Sequence, residues 1–236
     1  MRAAIYTNYL TDSVIYTIGM IQALIFDFDG LLVDTETPAF ESWWMLYGEY
    51  GHDLALDLWQ GALGTNQGFD ALDHLESLLG RALDRVANMA HRRQLKAELS
   101  AEQPLLPGVV EILAQARALG LPCAVASSSD RAWVEGWLER HAVRPAFACV
   151  RTADDVAMTK PAPDLFLSAA AYLGVPPAAC LVFEDSTNGI LAARAAGMRC
   201  VAVPGAVTRQ LTLPPADLVL PALDALPLIE ILTRTS

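Results

Sequence analysis

Residues 21–40 read IQALIFDFDGLLVDTETPAF. The first six form an apolar run of the length and composition of a strand buried on both faces. The run ends in two carboxylates one residue apart, Asp27 and Asp29, followed by Gly30. Strand periodicity sets Asp27 and Asp29 on one side and turns Phe28 into a core. Gly30 then permits a tight bend and a close approach of backbone to a ligand. Carboxylates at the end of an apolar strand are costly to bury. The stretch therefore predicts a site as well as a strand.

Outward from it, apolar β-type runs recur at LPCAVAS (121–127), FACVRT (147–152), CLVFED (180–185) and RCVAVPG (199–205), with DLVL (217–220) a weaker one. Segments with helical spacing separate them: PGVVEILAQARALG (107–120), PDLFLSAAAYLG (163–174) and NGILAARAAG (188–197). Strands alternating with helices predict right-handed βαβ units and a parallel sheet covered on both faces. Residues 35–104 break the rhythm, with helical patterns rich in Trp, Leu and Ala and no strand. They predict a helical domain inserted after the first strand, its Arg81, Arg85, Arg92 and Arg93 on a solvated face. The α/β core then spans 20–34 and 105–236.

The 236 residues are 53% hydrophobic and 18% charged, with a formal net charge of −11 and no basic stripe. That balance argues against nucleic acid and anionic membrane as partners. Cys123, Cys149, Cys180 and Cys200 lie in or beside apolar runs without metal-ligand or disulfide-rich spacing, as small core residues of a cytoplasmic protein do. In residues 1–19, Asn8, Thr11, Asp12 and Ser13 interrupt any apolar stretch long enough for a secretory signal or a span. The segment is expected to lie outside the folded core, with Met20 as a possible start. The four histidines are expected at the solvated surface.

In open α/β sheets, ligands bind outside the carboxyl ends of the strands. Strand one ends in Asp27-Phe28-Asp29-Gly30, the second in Ser127-Ser128-Ser129-Asp130 and the fourth in Glu184-Asp185-Ser186, and an intervening loop carries Thr159-Lys160-Pro161. Only two of the 16 Lys and Arg residues are lysines, Lys96 and Lys160, so Lys160 within this set suggests a compact point charge. Two neighbouring carboxylates call for a divalent cation, a shared proton, or both. Oxygen ligands without His or Cys point to Mg²⁺.

FDFDGLLVDTE, SSS, KPAPDLF and FEDSTNG resemble, in order and spacing, the four signature motifs of the haloacid dehalogenase superfamily, most closely its β-phosphoglucomutase-like phosphatase branch. The resemblance covers about residues 21–220 and implies a Rossmann-like core with an inserted α-helical cap. It implies Asp27 as the nucleophile that becomes an aspartyl phosphate. Asp29 would protonate the leaving oxygen and then deprotonate water. Ser127 and Lys160 would hold the phosphoryl oxygens. Mg²⁺ would take the Asp27 carboxylate, the Asp29 backbone carbonyl and Asp185, with Glu184 a ligand or an anchor.

Asp29 narrows the reaction, since dehalogenases of the superfamily lack this acid and phosphonate-cleaving relatives use a cap lysine. The mutases resembled carry a cap-entry histidine near the position of Ala39 and a cap arginine for a second phosphate. TPAFESWW and LGTNQGFDAL hold neither. The expectation is a sugar-phosphate phosphatase, with a mutase as runner-up and a non-catalytic phosphate-binding module as the alternative of another class. Against that module, dinucleotide and P-loop glycine patterns are absent. Substrate contacts are expected from Gly30, Ser128, Ser129, Arg131, Thr65, Asn66, Gln67 and Phe69. Trp43 and Trp44 are candidates too, though cap core is the stronger reading for that pair. The partner is a small phosphorylated metabolite, and the protein a monomer with a dimer left open.

Overall fold

The computed structural model describes residues 21–59, 62–63 and 69–235. The expected extension over 1–19 lies outside them, as do Thr65, Asn66 and Gln67.

Six parallel strands form one sheet: β1 (Ala23–Phe26), β2 (Cys123–Ala126), β3 (Phe147–Arg151), β4 (Cys180–Glu184), β5 (Arg199–Ala202) and β6 (Leu218–Val219). Their order is β3-β2-β1-β4-β5-β6. The chain leaves β1 toward β2 on one side and returns toward β4 on the other, so β1 stands where the winding reverses. That reversal opens a crevice at its carboxyl end.

The period of two along β1 sorts its side chains between two helical layers. Leu24 and Phe26 join a core with helices α5 (Val109–Ala118), α6 (Arg131–Arg140) and α9 (Leu228–Arg234). Ala23 and Ile25 join another with α7 (Asp164–Leu173) and α8 (Thr187–Ala195). Phe28 is fully buried in the first core, as the strand phase requires.

Between β1 and α5 lie α1 (Glu36–Glu49), α2 (Leu56–Trp59), α3 (Ala71–Leu79) and α4 (Arg85–Ser100). Trp43, Leu46, Tyr47, Trp59, Leu72 and Leu75 build a separate apolar cluster there, joined by Val207 from beyond β5. Asp70 caps α3 by accepting from the Leu72 and Asp73 amides at 2.8 and 2.9 Å.

Two helices, α6 and α9, have no counterpart among the sequence expectations. Asp130 caps α6 through the Trp133 amide at 2.8 Å, and Val134, Trp137 and Leu138 face the sheet. Two histidines are also less solvated than expected, whereas His91 is exposed. The Tyr47 hydroxyl and His74 Nδ1 lie 3.0 Å apart, and His141 stacks on Trp137 at 5.6 Å. Each ring covers aromatic surface that would otherwise face water.

Candidate active site

Asp27 is the first residue past β1, its amide still bonded to the Phe183 carbonyl of β4 at 3.0 Å. That parallel register brings the next residue of β4, Glu184, alongside. Lys160 enters from the loop after β3 and is fully buried. Its ammonium donates to Asp27 Oδ1, and to Glu184 Oε1 at 2.6 Å. Burial alone would lower the Lys160 pKa, but Asp27 and Glu184 outweigh it and push it up. Glu184 is held from its other oxygen by the Ser186 amide at 2.7 Å and hydroxyl at 3.0 Å. With both oxygens so engaged, Glu184 is shaped as an anchor for Lys160. The Ser186 hydroxyl also accepts from the Gly189 amide at 3.1 Å, capping α8.

Asp27, Glu184 and Asp185 are all buried, and each offers an oxygen within 4.8 Å of the others'. Burial, followed by the neighbouring carboxylate charges, raises Asp27 and Asp185 well above the ordinary carboxylate range. One lysine cannot balance three buried carboxylates. A hard divalent cation such as Mg²⁺ fits the donor set and would supply the missing charge. Gly30, at φ +76°, makes room: a Cβ there would come within 2.4 Å of Asp185 Oδ2. At Gly189 a Cβ would fall 1.7 Å from Glu184 Oε1.

Asp29 is only half-buried and turns away from this cluster. Its Oδ1 accepts from Thr35 Oγ1 at 2.6 Å and the Trp133 indole N–H at 2.9 Å. Its Oδ2 accepts from Ser129 Oγ at 2.7 Å and Ser127 Oγ at 3.1 Å. Two carboxylates one residue apart thus sit in unlike surroundings, one gripped by a cation and the other by neutral donors.

Above them lies a cavity of about 690 Å³, floored by Asp27, Asp29, Ser128 and Ser129 and roofed by Arg92, Arg93 and Lys96 of α4. Here the structure corrects the sequence reading for one of the two arginines expected on a solvated face, Arg92, whereas Arg93 lines the cavity and is exposed as expected. Arg92 is half-buried: Nε donates to Ser42 Oγ at 3.1 Å, and the guanidinium lies 5.1 Å from the Trp43 ring centroid. Burial lowers its pKa to about 10. Lys96 Nζ stands 4.2 Å from the Trp133 ring centroid, and burial lowers its pKa too. Positions 92, 93 and 96 share one helical face, the signal that could have found them. Glu36, opening α1 on the cavity wall, is pushed up to about 7 by burial and then by the Asp29 charge.

Other expected contacts fall elsewhere. Arg131 is not among the cavity's lining residues: it pairs with Asp155, from the loop after β3, at 2.5 Å and with Glu135, one turn along α6, at 3.5 Å. Trp43 is buried in the helical cluster, whereas Trp44 is half-exposed in a separate groove with Leu54, Leu56 and Val207. Phe69 packs on His74, at 5.4 Å between ring centroids.

The haloacid dehalogenase-like hydrolase family model matches residues 21–197. The YhcW protein of Bacillus subtilis (strain 168) is 46% identical over 189 residues, covering 80% of this chain and 86% of that protein. Hexitol phosphatase B of Escherichia coli (strain K12) is 33% identical over 201 residues, covering 78% and 84% respectively. Among solved structures, CbbY from Rhodobacter sphaeroides in complex with phosphate superimposes with a TM-score of 0.66 at 28% identity, covering 86% of this chain and 95% of that one.

Proposed function

This chain belongs to the haloacid dehalogenase-like hydrolase family, and we propose that it is a Mg²⁺-dependent phosphatase hydrolysing a small sugar phosphate through an aspartyl-phosphate intermediate. The observation that carries this reading is the buried Asp27–Lys160–Glu184 clamp beside Asp29, whose donors are all neutral. Its likeness to hexitol phosphatase B supports the substrate class. In this reading the core (20–34 and 105–236) carries the chemistry and the helical insertion (35–104) covers it. The protein works as a monomer in the cytoplasm, which four free, buried thiols suit.

Asp27 attacks phosphorus while Lys160 and Ser127 neutralise and orient the non-bridging oxygens. As the ester P–O bond breaks, Asp29 gives its proton to the leaving oxygen. Water then attacks the aspartyl phosphate, Asp29 takes back a proton, and inorganic phosphate leaves with Asp27 restored. Asp27, Asp185 and the Asp29 carbonyl would hold Mg²⁺, which supplies charge neutralisation at the phosphoryl group. Glu184 keeps Lys160 in place.

The test is phosphate release from a panel of sugar phosphates with Mg²⁺, with excess chelator, and in Asp27→Asn. Release should require Mg²⁺ and be nearly abolished in the variant. Undiminished release in chelator or in Asp27→Asn would falsify the reading. Conversion of a sugar 1-phosphate to its 6-phosphate without phosphate release would instead assign a mutase.

A further inference from the structure

We infer that the Trp133 indole N–H fixes the orientation of the Asp29 carboxylate for catalysis, and that Lys96 of the inserted helices reinforces that hold. The inference rests on the phosphatase reading above. Four groups donate to the Asp29 carboxylate: the hydroxyls of Thr35, Ser127 and Ser129, and the indole N–H of Trp133. A hydroxyl can rotate and become an acceptor, but an indole N–H can only donate. The 2.9 Å bond from Trp133 therefore pins Oδ1, and with it the rotation of the carboxylate, whichever way the three hydroxyls turn. The acid thus keeps one orientation while the hydroxyls adjust to its proton.

Trp133 is well placed to hold this orientation. It sits in the first turn of α6, half-buried, with its ring edge-on to Trp137 at 5.7 Å and 71°. The Lys96 ammonium lies over its face, 4.2 Å from the ring centroid. A cation there draws π density toward itself and makes the N–H a stronger donor. Among the described residues, Lys96 makes no ion pair or hydrogen bond, and its ammonium faces the indole ring. Trp133 is thus a positioning residue: it touches Asp29 and not the reacting phosphorus. Lys96 ties the seating of α4 over the cavity to the orientation of the acid.

The test separates proton delivery from general damage by the leaving group. An alkoxide leaving from a sugar phosphate needs the proton, whereas p-nitrophenolate does not. In single-turnover experiments with Mg²⁺, Trp133→Phe should slow release of the sugar by about 10–100-fold, part of the usual yield of general acid catalysis. Release of p-nitrophenol should slow by less than about 3-fold, with KM for either ester little changed. Incorporating benzothienylalanine at position 133 keeps the ring's shape and its face for Lys96 and removes only the N–H. It should reproduce the Phe result if that variant folds, and replaces it if not. Equal slowing of both esters, or of neither, overturns the assignment. Lys96→Met should lower kcat for the sugar ester without raising KM. A raised KM would make Lys96 a substrate contact and remove it from this scheme. Wild-type protein that releases no phosphate from any ester would instead sink the phosphatase reading itself.

Discussion

Replacing Lys160 with Met removes the one cation between two buried carboxylates. The Lys160, Asp27 and Glu184 side chains are 0%, 6% and 0% exposed, so water cannot take over the ammonium's role. Removing one partner of a buried ion pair costs about 3–5 kcal/mol. In a chain of this size that is a melting point about 6–20 °C lower. The loss should depend on pH, with a definite sign. Burial already raises the Asp27 pKa, while Lys160 lowers it. Without Lys160 it rises further. Over the window from the ordinary carboxylate value up to that raised one, folded Asp27 keeps a proton that the unfolded chain has released. Stability therefore falls as pH rises through the window. In chelator, the deficit of Lys160→Met should be largest near pH 8 and shrink toward pH 5, where the Asp27 carboxylate can be protonated. Urea unfolding of both proteins across that range measures it. A deficit below about 1 kcal/mol at pH 8, or one equal at both ends, refutes the balance of charge described here.

Two further outcomes follow from the same cluster. Gly189→Ala places a Cβ 1.7 Å from Glu184 Oε1, so the carboxylate must leave its bonds to Ser186 and Lys160. Charged hydrogen bonds are worth about 1.5–3 kcal/mol each, so stability should fall by at least about 2 kcal/mol and kcat more than about 10-fold. Normal melting and turnover would show that the anchor is dispensable. As proposed ligands of Mg²⁺, Asp27 and Asp185 would have to give up protons, since burial chiefly raises their pKa values. The ion's stabilising effect on melting should therefore be larger at pH 8 than at pH 6, with proton release seen by calorimetry in buffers of different ionisation heat. Equal melting shifts at both pH values would count against these ligands.

What the sequence makes legible here is what lies close along the chain. Each strand shows as an apolar run, and each run hands its polar residues to the carboxyl edge, so Asp27, Asp29, Ser127 and Asp185 can be read at the ends of their own strands. Lys160 is legible by rarity, but its grip on Glu184 is not, because the pairing depends on a loop folding over the edge of β4. The contacts missed cross between separately built layers. Trp133 belongs to a helix whose apolar spacing is short and mixed with charge, and its partners Asp29 and Lys96 come from the sheet edge and from α4. Arg92 looks like a solvated helix charge until Trp43 and Ser42 of α1 pack beneath it.

The proposed division of labour between the two aspartates rests on that crossing of layers. Alternation alone makes Asp27 and Asp29 equivalent, two acids on one side of one strand. The sheet order then places Asp27 against β4, where Glu184 and a fully buried Lys160 surround it. A carboxylate held by a cation and shielded from water is ready to approach an anionic phosphoryl group, but badly placed to trade protons. The bend at Gly30 carries Asp29 outward to Thr35, the serines after β2 and Trp133. Neutral hydroxyls can follow a proton on and off an oxygen at little cost, which a buried ammonium cannot do. Exchanging the two environments would leave an acid that cannot release its proton and a nucleophile with nothing to offset its charge. In the proposed reaction the residue spacing sets the pair, and the layers packed on either side of β1 would fit one to attack and the other to shuttle protons.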